Sequence, residues 1–416
     1  MTRQPSRQSA LRPARRPIRQ PGRGRSPRAR AAALTAAALL AATACAGPGR
    51  QTDPSARRSS PAATAEPAPA REFTLVASGD VLPHDSIIDR ARTDAGGDGY
   101  DFAPMLAAVR PVVSAADVAI CHMETVYGAD GDYSGYPAFT SPPEVAAGLA
   151  ATGYDACSTA SNHSLDDGAE GIRRTLDALD AAGVAHHGSA RTAAEANTPA
   201  WLRAGDAKVA QLAYTYGTND YPLPEGRPWA VSPLDEEKIL ADARAARRAG
   251  ADVVVTSLHW GTEWQTDPDE RQLSLARSLT AATTAGRPDI DLIIGTHAHV
   301  PQAYEKVNGT WVIYGMGDQV AGPMFDYTGG YDARGNQGSI GRFTFAPPAR
   351  PGGRWTVRKA EFIPQWFDTG TGRLVNLPDA LEREGERDDY RETQDSIAAA
   401  VLGRGAAADG LTMATR

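Results

Sequence analysis

The 416-residue chain has only three cysteines (Cys45, Cys121 and Cys157), no acidic residue in its first 44 positions and no internal repeat. It also has no apolar run long enough to cross a bilayer as a helix. No cluster of lysine and arginine in its main body marks a phosphate-binding surface. Two cysteines beyond position 45 can form at most one bridge, so a disulfide framework is excluded. The length suits one large domain or two small ones.

What the beginning does contain is arginine. Ten of the 43 basic residues fall before position 31, ahead of a short apolar stretch, Ala31–Ala44, and then Cys45. That stretch fits the apolar core of a signal peptide. Ala42-Thr43-Ala44 before Cys45 resembles a bacterial lipoprotein cleavage box, with alanine where leucine is more usual. Residues 1–45 therefore read as a lipoprotein-type signal peptide ending at a lipidated Cys45; cleavage at a nearby alanine, giving a secreted protein, is the other reading. Arg15-Arg16 lacks the surroundings of a twin-arginine signal. Residues 46–71, rich in proline, alanine and serine, read as a disordered tether. The expected location is outside the cytoplasm, at the outer face of the cell membrane or secreted. Without the ten leader arginines, 33 basic residues face 50 acidic ones, a net charge near −17. Such a surface excludes nucleic acid and anionic lipid as partners.

Residues 72–366 read as the folded domain. Apolar strand runs are expected at 73–77, 118–121, 156–160, 208–216, 253–258 and 292–294. Helices are expected at 102–115, 143–152, 168–182, from Ser232-Pro233 to Gly250, and at 270–285. Asn308-Gly309 marks a hairpin turn between 303–307 and 311–314, with further strands at 341–346 and 355–363. Alternating α and β units followed by hairpins suit a mixed α/β sheet system. Residues 367–416 read as a charged extension with a short helix near 390–402.

Five strand runs end in polar residues: Gly79-Asp80, His122-Met123-Glu124, Ser161-Asn162-His163, His259-Trp260-Gly261 and His297-Ala298-His299. A parallel α/β sheet gathers the carboxyl ends of its strands along one edge, where ligands bind. Carboxylate, carboxamide and neutral imidazole form the ligand set of Mn, Fe or Zn sites. Singly, each residue has a plainer explanation: Asp80 as a turn former, Asn162 as an Asx-turn residue, His299 as a surface side chain. Taken in order, they point to one divalent-metal site of one or two ions.

The ordered stretches Ser78-Gly79-Asp80-Val81, Cys121-His122-Met123-Glu124-Thr125, Ser158–His163, Ser257–Gly261 and Gly295–Val300 carry a resemblance to a known family. They resemble the CapA-type poly-γ-glutamate capsule synthesis proteins, within the calcineurin-like metallophosphoesterase superfamily. The resemblance runs from about Phe73 to Asp318. It implies a four-layer αββα sandwich of mixed sheets, with Glu124 bridging two ions. Asp80 and His299 would then serve one ion and Asn162, His259 and His297 the other, while His163 protonates the leaving oxygen.

Two departures from the family pattern matter. Leu82 stands where a metal-binding histidine is common, leaving His84 or solvent to compensate and a single ion as an alternative to two. Gly317-Asp318 replaces the usual Gly-Asn. His122, Asp318 and Trp260 are candidates for the pocket or for support behind the ligands, with Trp264, Tyr133 and Tyr136 as a candidate apolar wall. His186 and His187 read as structural. Cys121 and Cys157 read either as a disulfide or as buried thiols.

The function implied is metal-dependent, phosphoesterase-like chemistry in assembly or release of a capsule or cell-envelope polymer, poly-γ-glutamate among the options. The partner is then the polymer or its membrane synthase. A non-catalytic binding component that keeps the fold is the alternative from another class. A general secreted phosphoesterase is the third reading.

Overall fold

Four strands directly follow an aspartate, Asp117, Asp155, Asp252 or Asp291, and all four lead to polar residues at their carboxyl ends; with the other strands they assemble into two stacked sheets. The computed structural model describes residues 71–415 except 130, 351 and 386. The leader, the tether up to residue 70 and Cys45 lie outside the described residues. The first sheet has nine strands, with Arg373–Asn376, Thr356–Asp368, Gln337–Ala346, Phe73–Leu82, Val118–Met123, Ala156–Ser158 and Ala185–His187 in spatial order. Asp318–Ala321 adds to Phe73–Leu82, and Leu411–Met413 to Thr356–Asp368. The second sheet has six strands: Tyr304–Val307, Thr310–Ile313, Leu292–Thr296, Val253–His259, Ala207–Thr215 and Ala200–Ala204. Phe73–Leu82, Val118–Met123 and Ala156–Ser158 are parallel neighbours, as are Ala207–Thr215, Val253–His259 and Leu292–Thr296.

Period-two alternation assigns the two faces of each sheet. Leu75, Val118 and Ile120 of the first sheet pack with Val209, Val255, Ile294 and Ile313 of the second. Val76, Ala119 and Cys121 turn the other way, onto Met105, Val112, Leu149, Ile172 and Leu176 of the outer helices. Leu212, Val254 and Ile293 likewise turn onto Ile239, Ala243, Ala276 and Leu279. Helix, sheet, sheet, helix is the four-layer αββα sandwich.

Several boundaries differ from expectation. The helix expected over 102–115 is two short pieces, Ala103–Leu106 and Arg110–Val113, each with proline in its first turn; proline cannot donate the amide a continuous helix needs. The helix expected from Ser232 begins at Glu236, where the Asp235 side chain accepts the Lys238 amide. Pro233 instead bridges to Thr215. Glu270–Ala281 stops before a tight hairpin whose turn residues, Ala285 and Gly286, both have positive φ. Cys121 and Cys157 face each other on neighbouring strands and are joined as a disulfide.

The largest difference is at the end of the chain. The described residues of 367–416, expected as an extension, are built into the sandwich. Strand Thr356–Asp368 runs past the expected boundary, and Leu411–Met413 lies parallel to it. Helices Leu377–Glu384 and Asp388–Leu402 bury Leu377, Tyr390, Ile397 and Val401 in the core. The helix expected near 390–402 is present; Leu377–Glu384 and the packing of both helices on the sheet are additional.

Candidate metal centre

The carboxyl ends of both sheets converge. Asp80, His122 and Glu124 come from the first sheet, His259, His297 and His299 from the second. A register irregularity between Ala77 and Asp80 sets Asp80 opposite His122 on one side and Asp318 on the other. Gly79 makes this approach sterically feasible, because a Cβ there would fall 1.7 Å from the Gly317 carbonyl oxygen. The Asp80 amide donates to that carbonyl at 3.2 Å. His297 and His299 have φ of 95° and 58°, values that cost non-glycine residues energy and that gather at functional sites. The bent backbone brings the His297 amide within 3.0 Å of Asp80 Oδ2 as donor.

Six side chains form three overlapping groups that could hold a metal ion: Asp80, His122 and His259; Glu124, His259 and His297; Asp80, Glu124 and His299. Within each group the donor atoms lie within 4.8 Å of one another. His122 Nε2 is 3.8 Å from Asp80 Oδ1, His259 Nε2 is 3.7 Å from Glu124 Oε1, and His299 Nδ1 is 4.0 Å from Asp80 Oδ2. These separations exceed a hydrogen bond, so the groups face one another without satisfying one another. Asn162 Oδ1 lies 2.8 Å from His259 Nε2, and its amide nitrogen donates to Asn219 Oδ1. Asp318 Oδ1 is 2.9 Å from His299 Nδ1.

The donor set fits a cation. Asp80 Oδ1, both Glu124 carboxylate oxygens, His122 Nε2, His297 Nδ1 and Asp318 Oδ2 are buried without a hydrogen-bond partner. Orphaned buried polar atoms are costly; others are scattered through the fold, but these six belong to the cluster and the Asp318 beside it. Burial, reinforced by Asp318, pushes Asp80 up to about 8. Burial and then the Asp80 charge hold Glu124 well above the usual carboxylate range. Burial and the His299 charge bring His122 down to about 3. His259 and His297 are lowered by burial and by neighbouring imidazoles. Burial works against charging His299 as well, but Asp318 and Glu124 overcome it and raise that residue. Neutral imidazole lone pairs beside carboxylates in need of positive charge are the chemistry of a divalent-metal site.

His163 stands beside this cluster on a turn after Ala156–Ser158. Ser161 Oγ donates to the Glu124 carbonyl at 2.5 Å and accepts the His163 amide at 3.0 Å, tying the turn to the cluster. His163 Nδ1 is 2.6 Å from Asp166 Oδ2, which also accepts the Phe139 amide at 2.7 Å. The imidazole edge meets the Phe139 ring at 4.8 Å between centroids. A carboxylate on Nδ1 orients the ring and leaves Nε2 for proton transfer.

Sequence reading placed His122 too far back. Residues i and i+2 of a strand share a face, so His122 enters the cluster with Glu124 and stacks on His259 at 4.7 Å. Trp260, expected near the pocket, is core: it is buried against Tyr314 and donates Nε1 to that residue's carbonyl at 2.8 Å. Tyr136 and Trp264 do line a cavity, together with Leu82 and His84, whereas Tyr133 packs edge-on to Tyr100. His84 belongs to none of the three groups, and its Nδ1 lies 3.1 Å from both the Gly322 amide and the Leu82 carbonyl oxygen. His187 is structural, accepting the Ala213 amide at 2.9 Å. Asp166, Glu263 and Asn219 were not foreseen. The three-residue spacing from His163 was a usable signal for Asp166; nothing local marked the others.

An αββα sandwich with a buried carboxylate–imidazole cluster at its strand ends is a metal-site scaffold of the α/β class. The sequence pattern described as Bacterial capsule synthesis protein PGA_cap matches residues 74–323, and the chain belongs to that family. It is 28% identical over 169 residues to the PGA biosynthesis protein CapA of Bacillus subtilis, covering 40% of this chain and 42% of that protein. It is 25% identical over 249 residues to a probable polyglutamine synthesis accessory protein of Mycobacterium tuberculosis, covering 57% and 63%. The matched part thus spans less than two thirds of each relative. Among solved structures, the calcineurin-like phosphoesterase YfkN of Bacillus subtilis aligns with 79% of this chain and 98% of its own, at 14% identity and a TM-score of 0.42. The NAD nucleotidase of Haemophilus influenzae aligns at 13% identity and a TM-score of 0.42, covering 83% of this chain and 64% of its own.

Proposed function

We propose that this is an exported, CapA-like protein whose cluster binds one or two divalent cations, Mn, Fe or Zn, and hydrolyses a phosphoester in capsule or cell-envelope polymer biosynthesis. The observation that carries the reading is the shell of buried, unpartnered donors beside the His163–Asp166 pair. A polymer-binding protein needs neither. Asp80, Glu124, Asn162, His259, His297 and His299 would hold the metal, with His122 added by its position. Bound cations supply Lewis-acid activation of water and of phosphoryl oxygen. His163 holds a proton at Nε2 for the departing oxygen, and Asp166 keeps that ring in place. Poly-γ-glutamate or its membrane synthase is the proposed partner, on the strength of the relatives' names. The test is metal analysis of the purified full chain with a panel of phosphoesters and γ-glutamyl peptides. Metal-dependent turnover of a phosphoester is expected; a metal-free chain inert on every ester would overturn the reading.

One observation favours a second reading. Leu82 removes a ligand common in the superfamily, as suits a non-catalytic component that binds polymer or synthase. Retention of the His163–Asp166 pair weighs against it.

We further propose attachment to the outer face of the membrane through lipidated Cys45, with residues 46–71 as tether. Among the described residues no helix is long and apolar enough to cross a membrane. Cys45→Ser is expected to abolish lipid labelling and membrane partitioning; unchanged partitioning would contradict lipidation.

A further inference from the structure

A cavity of about 720 Å³ adjoins the cluster, with His163 and His299 in its wall. It therefore opens onto the side of the site where the proton donor stands and a leaving group departs. Its body is apolar, formed by Phe139, Trp264 and Met324. Around its mouth stand Tyr136, Phe325 and Tyr327, which are 75%, 58% and 75% exposed. Three large aromatic side chains left in water around one opening mark a recognition surface. Burial and the neighbouring Glu263 carboxylate push the Tyr327 hydroxyl up from its ordinary value.

Away from the cluster the charge of the lining is acidic. Asp85, Glu263 and Asp326 contribute to it, and among the described residues no lysine or arginine does; the imidazoles of His163 and His299 stand where the cavity meets the cluster. Asp326 accepts the Thr328 and Gly330 amides and the Thr328 hydroxyl, bonds that favour its ionised form. Asp85 accepts the Gly135 amide at 2.7 Å. An anionic chain such as γ-linked glutamate would bring its carboxylates against these acids with no lysine or arginine of the lining to pair them. A flat apolar group would stack on the rings, and a positive charge on it would be attracted both to the ring faces and to the acids.

Resting on the phosphoesterase reading of the adjoining site, we propose that this cavity holds the leaving-group half of the substrate, and that this half is a flat apolar group, neutral or cationic. Any polyanionic polymer then lies on the other side of the phosphoryl group, outside the cavity. The reading assigns Trp264 and Tyr136 as specificity residues.

Calorimetric titration of the metal-loaded full chain with four non-hydrolysable phosphonates tests this: methyl-, phenyl-, 4-trimethylammoniophenyl- and 4-carboxyphenylphosphonate. Phenyl is expected to bind about 10-fold tighter than methyl, from aromatic stacking and burial. The ammonium compound should bind tighter still, and the carboxylate weaker than phenyl. Trp264→Ala, and separately the exposed Tyr136→Ala, should shrink the phenyl advantage while methylphosphonate affinity stays unchanged. If methylphosphonate binds and phenyl has no advantage, or the carboxylate equals phenyl, the cavity proposal falls and the phosphoesterase reading stands. If no phosphonate binds, methylphosphonate included, the phosphoesterase reading fails and takes the cavity proposal with it.

Discussion

The two ends of the sheets treat acids in opposite ways. At the amino ends, Asp117, Asp155, Asp252 and Asp291 each stand just before a strand and accept an amide from the neighbouring strand: Thr74 at 2.9 Å, Ala119 at 2.8 Å, Lys208 at 2.9 Å and Val254 at 2.9 Å. Arg71 pairs with Asp117, and Arg247 with Asp291. Around the carboxyl ends, Asp80, Glu124 and Asp318 (the last opening the short strand Asp318–Ala321) are all buried, whereas of the amino-end acids Asp291 is buried, Asp117 and Asp252 are half-buried and Asp155 is exposed. No arginine or lysine reaches the first three among the described residues; His299 pairs with Asp318. The amino-end set supplies acceptors that the sheet edge lacks, so it is architecture. The carboxyl-end set gathers three carboxyl groups against one raised imidazole, and a bound cation would offset the charge they carry when ionised. Asp291 and Asp80 are both buried, so burial alone does not separate a structural from a functional carboxylate here; the partner does.

The sharpest way to extend that contrast is at His163, the carboxyl-end residue with a carboxylate partner of its own. His163→Ala should keep its metal and lose turnover of a poor leaving group by about 100- to 10,000-fold, the usual worth of a positioned acid. The loss should shrink for a nitrophenyl ester, whose leaving group needs no protonation. Steady-state rates on the two esters, with metal content measured in parallel, decide it; full activity on the poor leaving group would remove His163 from the chemistry.

A smaller effect is expected at the ligands. His259 belongs to two of the three groups, so His259→Ala should weaken metal binding by at least about 10–100-fold, the range seen even for residues behind a ligand. Full occupancy of the variant in native mass spectrometry would contradict its role.

The mildest test is pH. Asp80 is raised in the fold to about 8, from about 4 in an unfolded chain. A raised carboxyl makes the folded state the tighter proton binder, so its contribution is full below the unfolded value and is lost as pH rises through about 8. The lowered imidazoles of His122, His259 and His297 add stability as pH rises to about 6.5 and nothing beyond it, so the metal-free protein should lose stability between about pH 6.5 and 8, and added divalent metal should restore it at the upper end. A metal-free urea midpoint that rises steadily across that window would break the account.

Much of this was legible in sequence, for identifiable reasons. Period-two alternation gave the strands, and five polar strand ends gave Asp80, Glu124, Asn162, His163 and the second-sheet histidines as one neighbourhood. Proximity across a sheet edge was less legible. The register irregularity at Asp80 and the shared face of His122 and Glu124 decide that His122 joins the cluster, and neither is written in local composition. Trp260 looked like a pocket residue because it follows His259, but the next residue along a strand turns to the other face. Helix Asp388–Leu402 was read without the core it buries, because alanines separate Ile397 from Val401 and a charged stretch, Arg391–Asp395, separates both from Tyr390.

The central claim is that the carboxyl-end acids serve a cation and the amino-end acids serve the sheet. Calorimetric titration of Mn²⁺ into the chelator-treated full chain, into Asp80→Asn and into Asp155→Ala tests it most directly. Saturable binding is predicted for the wild type and for Asp155→Ala, the latter lowering only stability, by about 0.5–1.5 kcal/mol for one part-buried hydrogen bond. Asp80→Asn is predicted to lose most of the binding. Wild-type affinity in Asp80→Asn, or its loss in a folded Asp155→Ala, would contradict the account.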